Sequence, residues 1–358
     1  MNVLVLTPYR YGEAPGPRSS IELWERVLAP AGITFDYRSF ETDELAEIIY
    51  EPGRYLGKAF EMTRAYRRRI RELGDVHGAD AVLVYREAAL IGPALIERWV
   101  GRRKPIIYQL DDPLYVPYRS PFNGLLSYLK FFGKVGSICR MSSVVIVNSR
   151  HHEDYARKHG ARTVVRIPSV VDESVFHVPA RVRDEGRPVR IGWTGSPSTI
   201  GNLRLIEQPL RRVLDRTGAE LVVVGGSANP FESLDATVLP WSADEEVARI
   251  ASFDIGLLPL PLTPWNERSF FLKLVQYMAL GVPTVATPMG SVSYVLEDGR
   301  SGFTASSDAE WEERLVQLVE DEDLRAAMCK RAEELAAEHY TLGANAERIV
   351  DAFRAAVS

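Results

Sequence analysis

The stretch Phe253-Asp-Ile-Gly-Leu-Leu-Pro-Leu-Pro261, followed by Lys273-Leu-Val-Gln-Tyr-Met-Ala-Leu-Gly-Val-Pro-Thr-Val-Ala-Thr-Pro288, constrains the fold of this chain more than any other segment. Two short apolar runs flank a helical period, so the stretch reads as strand, loop, helix and strand, one βαβ unit. Gly281-Val282-Pro283 supplies the tight turn from helix to strand. The loop carries Trp265, Asn266, Glu267 and Arg268, and the helix is expected to place Lys273 one turn in. Basic side chains and unpaired backbone N–H groups at such a helix start suit a diphosphate.

The same alternation recurs along the chain. Val3–Leu6, Ile33–Arg38, Ala81–Tyr85, Pro105–Leu110, Val144–Asn148 and Val164–Ile167 read as strands of a first parallel sheet. A Pro/Gly-rich loop, Thr7–Ser20, follows the first of them, and Arg54–Leu73 reads as a long basic helix. Polar texture over 176–188 predicts a linker between an N-terminal domain, 1–175, and a second α/β domain, 189–340. The second sheet draws on Val189–Trp193, Leu221–Val224, Ala236–Leu239, the opening βαβ unit and Gly302–Ala305, with Leu203–Thr217 as a helix. A last helix lies within 341–358. The expected fold class is therefore α/β, with two Rossmann-like parallel-sheet domains.

The 358 residues suffice for two domains, and 46% hydrophobic with 25% charged residues is the balance of a globular protein. The net charge of −5 divides unevenly: residues 1–180 hold 25 Lys+Arg against 21 Asp+Glu, the remainder 18 against 27. That first-half excess of +4 is no nucleic-acid footprint. Cys139 and Cys329 are far apart, and the six histidines form no ligand spacing, so neither a disulfide framework nor a metal site is expected. The chain opens on an apolar run with no basic region before it and contains no apolar run of spanning length, which makes the cytoplasm the expected compartment.

The 253–288 wording, continued through Gly290-Ser291-Val292 and Glu297-Asp-Gly-Arg-Ser-Gly302, resembles the donor-side motif of the retaining family-4 glycosyltransferases. The resemblance implies the two-domain GT-B fold, its halves facing across a cleft, with the last helix packing back on the first domain. It also implies sugar transfer from a nucleotide-diphosphate sugar to an acceptor hydroxyl with retention, without cofactor or metal. The acceptor would be a glycan, a lipid-linked molecule or a small molecule. Two alternatives stand beside it: a non-catalytic nucleotide-sugar-binding protein and a nucleotide-sugar epimerase of the same fold.

Within that frame Lys273 offsets the charge of the departing diphosphate, the competing reading being a solvated lysine with a buried stem. Arg268 is a bidentate phosphate clamp or a surface arginine. Arg268 and Gln276 stand where many members carry glutamates, and Gln276 retains groups able to bond ribose hydroxyls. Gly195, Ser196 and Thr199 replace a basic pair usual after the first strand of the second domain, and offer N–H and hydroxyl groups instead. Trp241 follows a strand where the base is held, and Gly290 and Ser291 complete the donor side. On the acceptor side stand Gly12, Gly16 and Arg18 of the first loop, Arg86 at a strand end, and the pair Asp111-Asp112. Asp111 occupies a position commonly histidine in the family, and is expected to bond the sugar or accept the hydroxyl proton, against a plain turn-and-cap role. For Arg86 an ion pair with Glu87 or Asp111 is the competing reading. Finally, the basic helix 54–71 and the aromatic segment 115–132 together offer a face for an anionic membrane, or simply a solvated helix and an acceptor-side loop.

Overall fold

The computed structural model describes residues 1–120, 122–177, 186–226, 228–231 and 234–358, so most of the expected linker, 178–185, lies outside the described residues. The chain divides into two compact units, Met1–Ser169 with Asn345–Ser358, and Val170–Ala344. Each is built on a six-stranded, wholly parallel sheet.

In the first unit the strands are β1 (Asn2–Thr7), β2 (Thr34–Ser39), β3 (Ala81–Tyr85), β4 (Ile106–Leu110), β5 (Val144–Val147) and β6 (Val164–Arg166), in the order β2-β1-β3-β4-β5-β6. All residues of β3, β4 and β5 are buried, as befits parallel strands covered by helices on both faces. The chain leaves β1 toward one side and returns on the other, so the strand order reverses between β1 and β3. Open α/β sheets bind ligands beyond the strand C-termini at such a point. The terminal helix, Leu342–Arg354, lays Phe353 against Trp24 and Phe35 within this unit.

The second unit contains β7 (Arg190–Thr194), β8 (Glu220–Val224), β9 (Thr237–Leu239), β10 (Ile255–Leu258), β11 (Thr284–Ala286) and β12 (Gly302–Thr304). Their order is β12-β11-β10-β7-β8-β9, and the reversal falls between β7 and β10. The unit begins at Val170, earlier than expected, because Val171 pairs with Thr341 and exchanges backbone hydrogen bonds with Tyr340 and Leu342. The expected single helix over 203–217 is a 3-10 turn, Ile200–Ile206, followed by the α-helix Glu207–Thr217. Pro209 explains the break, since proline is tolerated in the first turn of a helix but not within one.

The basic helix, Tyr55–Glu72, points much of its charge inward. Arg69 is fully buried and donates to the Thr7 and Arg38 carbonyls at 3.1 and 2.9 Å, with Glu72 at 3.1 Å. Arg68 donates to the Ser39, Phe40 and Glu41 carbonyls. These arginines fasten the helix to the C-terminal ends of β1 and β2, next to the switch point. Burial lowers the Arg69 pKa to about 10, which leaves it charged at neutral pH. Truncation takes a buried donor from both carbonyls and one of the two cations from Glu72, leaving Thr7 only the Phe40 N–H and Glu72 only Arg68. Arg69→Ala is expected to destabilise the first unit by about 3 kcal/mol, and Arg69→Lys to recover only part of it. Urea unfolding of both variants checks this; an unchanged midpoint for Arg69→Ala would remove the anchor role.

Candidate functional site

Each unit presents a cluster of chemistry-bearing residues at its own switch point. In the second unit, β7 delivers Trp193 and Thr194 into the turn at Gly195, and the helix Leu272–Ala279 follows β10. Lys273 is the second residue of that helix, not one turn in. Its Nζ lies 4.5 Å from the Trp193 ring centroid and 3.4 Å from Thr199 Oγ1. Among the described residues no carboxylate lies within ion-pair distance of Lys273. Burial alone pushes its pKa down to about 8.

The backbone makes room for this ammonium. A Cβ on Gly195 would come within 2.4 Å of both Lys273 Nζ and the Trp193 indole. Gly225, at φ +102°, presses on the Gly195 carbonyl so closely that any side chain there would overlap it. Tyr277, fully buried, accepts the Thr194 N–H at 3.0 Å and so fixes the end of β7 to the helix carrying Lys273. Ser291 accepts the Phe271 N–H at 2.9 Å and donates its own N–H to Ser269, which positions the start of that helix. Gly290, at φ +55°, packs on the Asn266 and Ser269 carbonyls.

Of the residues expected on the donor side, Lys273, Gly195 and Thr199 meet at one point. Ser196 is exposed beside them and bonds Ser198 and Thr199. Gly290 and Ser291 serve the loop that sets the helix; Ser291 is 1% exposed, and its hydroxyl is already engaged. Arg268 donates to the Pro264 carbonyl at 2.6 Å and pairs with Glu267 at 3.0 Å. The Gln276 amide points at Glu246, 3.4 Å away. Trp241 is exposed just beyond β9.

In the first unit Arg86, at the end of β3, is the centre. Its φ of 61° is a strained backbone state for a non-glycine residue, held by an N–H donated to Gln109. Its guanidinium donates to both Asp111 oxygens, at 2.7 and 3.0 Å, pairs with Asp112 at 2.6 Å, and donates to Tyr9 Oη at 2.9 Å. Burial works against this charge, but the two carboxylates outweigh it and hold the pKa above the ordinary arginine range. Tyr85 Oη also donates to Asp111, at 2.5 Å.

Both Asp111 oxygens already accept from Arg86 and Tyr85, so Asp111 is the counter-ion of Arg86, the pairing named as the competing reading for that arginine. Both acids of the pair reach Arg86. Gly16 lies against the pair, since a Cβ there would come within 2.8 Å of the Arg86 guanidinium and 2.6 Å of Tyr85 Oη. Gly12 is placed elsewhere: its N–H donates to Glu22 in an exposed turn. Arg18 is exposed at the end of the short helix Pro15–Arg18.

A cavity of about 400 Å³ opens above Arg86, lined also by Tyr9, Arg10, Glu13, Glu41 and Tyr50. Sequence reasoning missed Glu41 and Tyr50. It also missed the support under Asp111, whose carbonyl accepts from Asn148 Nδ2 at 2.9 Å. Asn148 Oδ1 in turn faces His152 Nδ1 at 3.0 Å, and burial pushes the imidazole pKa down to about 3, so it is neutral. A polar run at the end of β5 was the only available signal.

Residues 188–321 match the family model described as glycosyl transferases group 1. Among curated proteins, the D-inositol 3-phosphate glycosyltransferase of Corynebacterium jeikeium is 28% identical over 191 residues, covering 47% of this chain and 44% of that protein. The N-acetyl-alpha-D-glucosaminyl L-malate synthase of Bacillus anthracis is 25% identical, covering 43% and 42%. The chain thus aligns with less than half the length of these curated relatives. Among solved structures, sucrose-phosphate synthase from Thermosynechococcus elongatus superposes with a TM-score of 0.72 at 14% identity, covering 99% of this chain and 98% of that one. Anabaena Alr3699/HepE, in complex with UDP, gives 0.69 at 17% identity, covering 99% and 100%. The GT-B architecture expected from the sequence is the fold of the chain.

Glu41 supplies a test of the first-unit geometry. It is 5% exposed, and burial pushes its pKa from the ordinary 4.5 up to about 7, with Arg10 and Lys130 opposing and Glu13 adding. The folded state therefore binds a proton more tightly than the unfolded one, and stability falls as pH rises between those values. Glu41→Gln removes the slope. Melting temperatures of the two proteins should coincide near the acid end of that window and diverge toward its upper end, with the variant the more stable. Parallel curves would mean that Glu41 is solvated.

Proposed function

Taking the second unit as a group 1 glycosyltransferase domain, we propose that this chain transfers a sugar from a nucleotide-diphosphate sugar to an acceptor hydroxyl with retention of configuration. The observation that carries the reading is the Lys273 ammonium, desolvated over Trp193 and without a carboxylate partner among the described residues. A buried cation left so is a strong attractor for an anion, and the surrounding Gly195 turn and hydroxyls suit phosphate oxygens. As the sugar–phosphate bond breaks, negative charge grows on the diphosphate, and a fixed ammonium there stabilises the transition state more than the ground state. Arg268 would exchange its exposed Glu267 partner for a phosphate at little cost. Exposed Trp241 offers a face for the base. The cavity over Arg86 takes the acceptor, with the Arg86–Asp111–Asp112 group as its fixed floor. Retention rests on the family resemblance. UDP is the first nucleotide to test, since Alr3699/HepE was solved with it.

Lys273 gives the reading its pH signature. The protonated form attracts the diphosphate, and the free protein loses that proton near pH 8. UDP affinity is expected to weaken as pH rises from about 7 to about 9, and Lys273→Met to bind weakly and without that slope. Isothermal titration at several pH values checks both. With a working donor and acceptor, Lys273→Ala should lose about 3 kcal/mol of transition-state stabilisation, roughly a hundredfold in turnover. Unchanged turnover would remove Lys273 from the mechanism. Tight donor binding with neither transfer nor release of free sugar would leave a nucleotide-sugar-binding protein.

A membrane-linked acceptor is favoured by one observation. Leu56 and Phe60 of the basic helix are 90% and 69% exposed, and Lys58 between them bonds Asn123 at 2.7 Å. Asn123 leads into the 3-10 helix Gly124–Lys130, whose Leu125 and Leu129 are also exposed. Such an apolar face flanked by Arg54 and Lys130 fits peripheral contact with an anionic bilayer. No helix among the described residues is long and apolar enough to cross a membrane. Sedimentation with vesicles containing anionic phospholipid should be lost in Leu56→Glu/Phe60→Glu; equal sedimentation of that variant would discard the idea.

A further inference from the structure

The cavity over Arg86 has a charge pattern that selects its occupant, given the proposal that the first unit holds the acceptor. Arginine side chains line it, yet each is already neutralised. Arg10 pairs with Glu13 and, at 2.7 Å, with Asp43. Arg86 is held by Asp111 and Asp112. Lys130 shares Glu87 with Lys134, which lies closer at 2.7 Å. A phosphate or carboxylate entering here would have to displace Asp111 or Asp112 from Arg86, or the more exposed Glu13 and Asp43 from Arg10, before it met a lining cation. An ammonium fares no better, because two guanidiniums line the same space.

Glu41 is what remains. It lines the cavity, is 95% buried by its 5% exposure, and its Oε1 has no hydrogen-bond partner. Buried carboxylate oxygens are rarely left so; Oε1 is closed off from solvent, and the donor that would satisfy it is a ligand hydroxyl admitted as a lining side chain moves aside. Tyr9 and Tyr50 add flat apolar faces of the kind on which the C–H side of a sugar ring or cyclitol rests.

We infer that the acceptor is uncharged and hydroxyl-rich at its bound end, and that Glu41 recognises one of its hydroxyls. The inositol phosphate and malate named for two relatives belong to the opposite, anionic class. The groups facing Glu41 are Arg10 and Glu13 from the loop after β1, Lys130 from the 3-10 helix, and Tyr9, Tyr50 and Arg86 around the cavity. With its pKa raised to about 7, Glu41 can both donate to and accept from a hydroxyl near neutrality, whereas an approaching anion would force it to take up a proton.

Saturation-transfer NMR on the full chain tests this with matched probes: myo-inositol against inositol 3-phosphate, and methyl glucoside against glucose 6-phosphate and glucosamine. Each probe is measured with and without UDP. The neutral members should receive saturation and the phosphorylated and amino members should not. Glu41→Gln should weaken the neutral probes roughly tenfold, the size of one hydrogen bond to a charged group. Glu41→Lys, checked for an intact melting transition, should admit the phosphorylated probes. Preference for a phosphorylated or amino probe would overturn the inference, as would saturation of none of them or an unchanged profile in Glu41→Gln. The donor reading fails separately, through the absence of any UDP-induced melting shift, and the NMR arms decide the acceptor class in either case.

Discussion

The ammonium of Lys273 lies over the Trp193 indole with no acid beside it among the described residues, and much of the second unit is arranged to hold it there. A charge in that position costs the fold free energy, as its lowered pKa records. The cost is tolerable only because neighbouring atoms cannot move away or fill the space. Gly195 leaves the gap, Gly225 lets β8 close on it, and Tyr277 ties β7 to the helix. Ser291 sets the helix start through the Phe271 N–H, which places Lys273 in the first turn. Gly225 and Tyr277, which were not among the expected donor-side residues, thus help to fix where this buried cation stands.

The first unit takes the opposite course with similar residue types. Arg86 sits at the equivalent place, beyond a strand end at the order reversal, but two aspartates and a tyrosine hydroxyl neutralise and immobilise it. Its backbone strain, carried at φ 61°, is balanced by that network, and Asn148 with neutral His152 supports Asp111 from beneath. One switch point is left hungry for an anion and the other is satisfied. That contrast fits the proposed pairing of a diphosphate donor with an uncharged acceptor.

Much of this was legible in the sequence, and for identifiable reasons. Parallel strands buried on both faces appear as continuous apolar runs, so the strands from Val3 to Gly302 could be placed to within a residue or two. The helices Asp43–Ile49 and Lys134–Met141 escaped notice, because short helices carry too few turns to show a period. Lys273 was marked by its motif and Gly195 by its place after a strand. Arg86 and Asp111 were paired only as a competing reading, since sequence cannot rank an ion pair against a catalytic role. Glu41 left no trace: an acid just before the Thr42 cap looks like an ordinary helix-start charge, and only folding shows it buried at the wall of a cavity.

The contrast also limits which substitutions the family pattern tolerates. Arg268 and Gln276, unusual against the resembled motif, are both held by protein groups, Arg268 by Pro264 and Glu267 and Gln276 by Glu246. Neither adds a carboxylate near Lys273, whereas a glutamate in place of either would bring one to the same helix or the loop before it. Replacing those acids leaves the local field more positive, which suits a site lacking the basic pair expected after β7. On the proposed function, Lys273 carries alone, or with Arg268, the charge that the basic pair usual in the resembled family would share. The burial that lowers its pKa is the physical reason it can: the less water reaches the ammonium, the more its attraction for a diphosphate is worth.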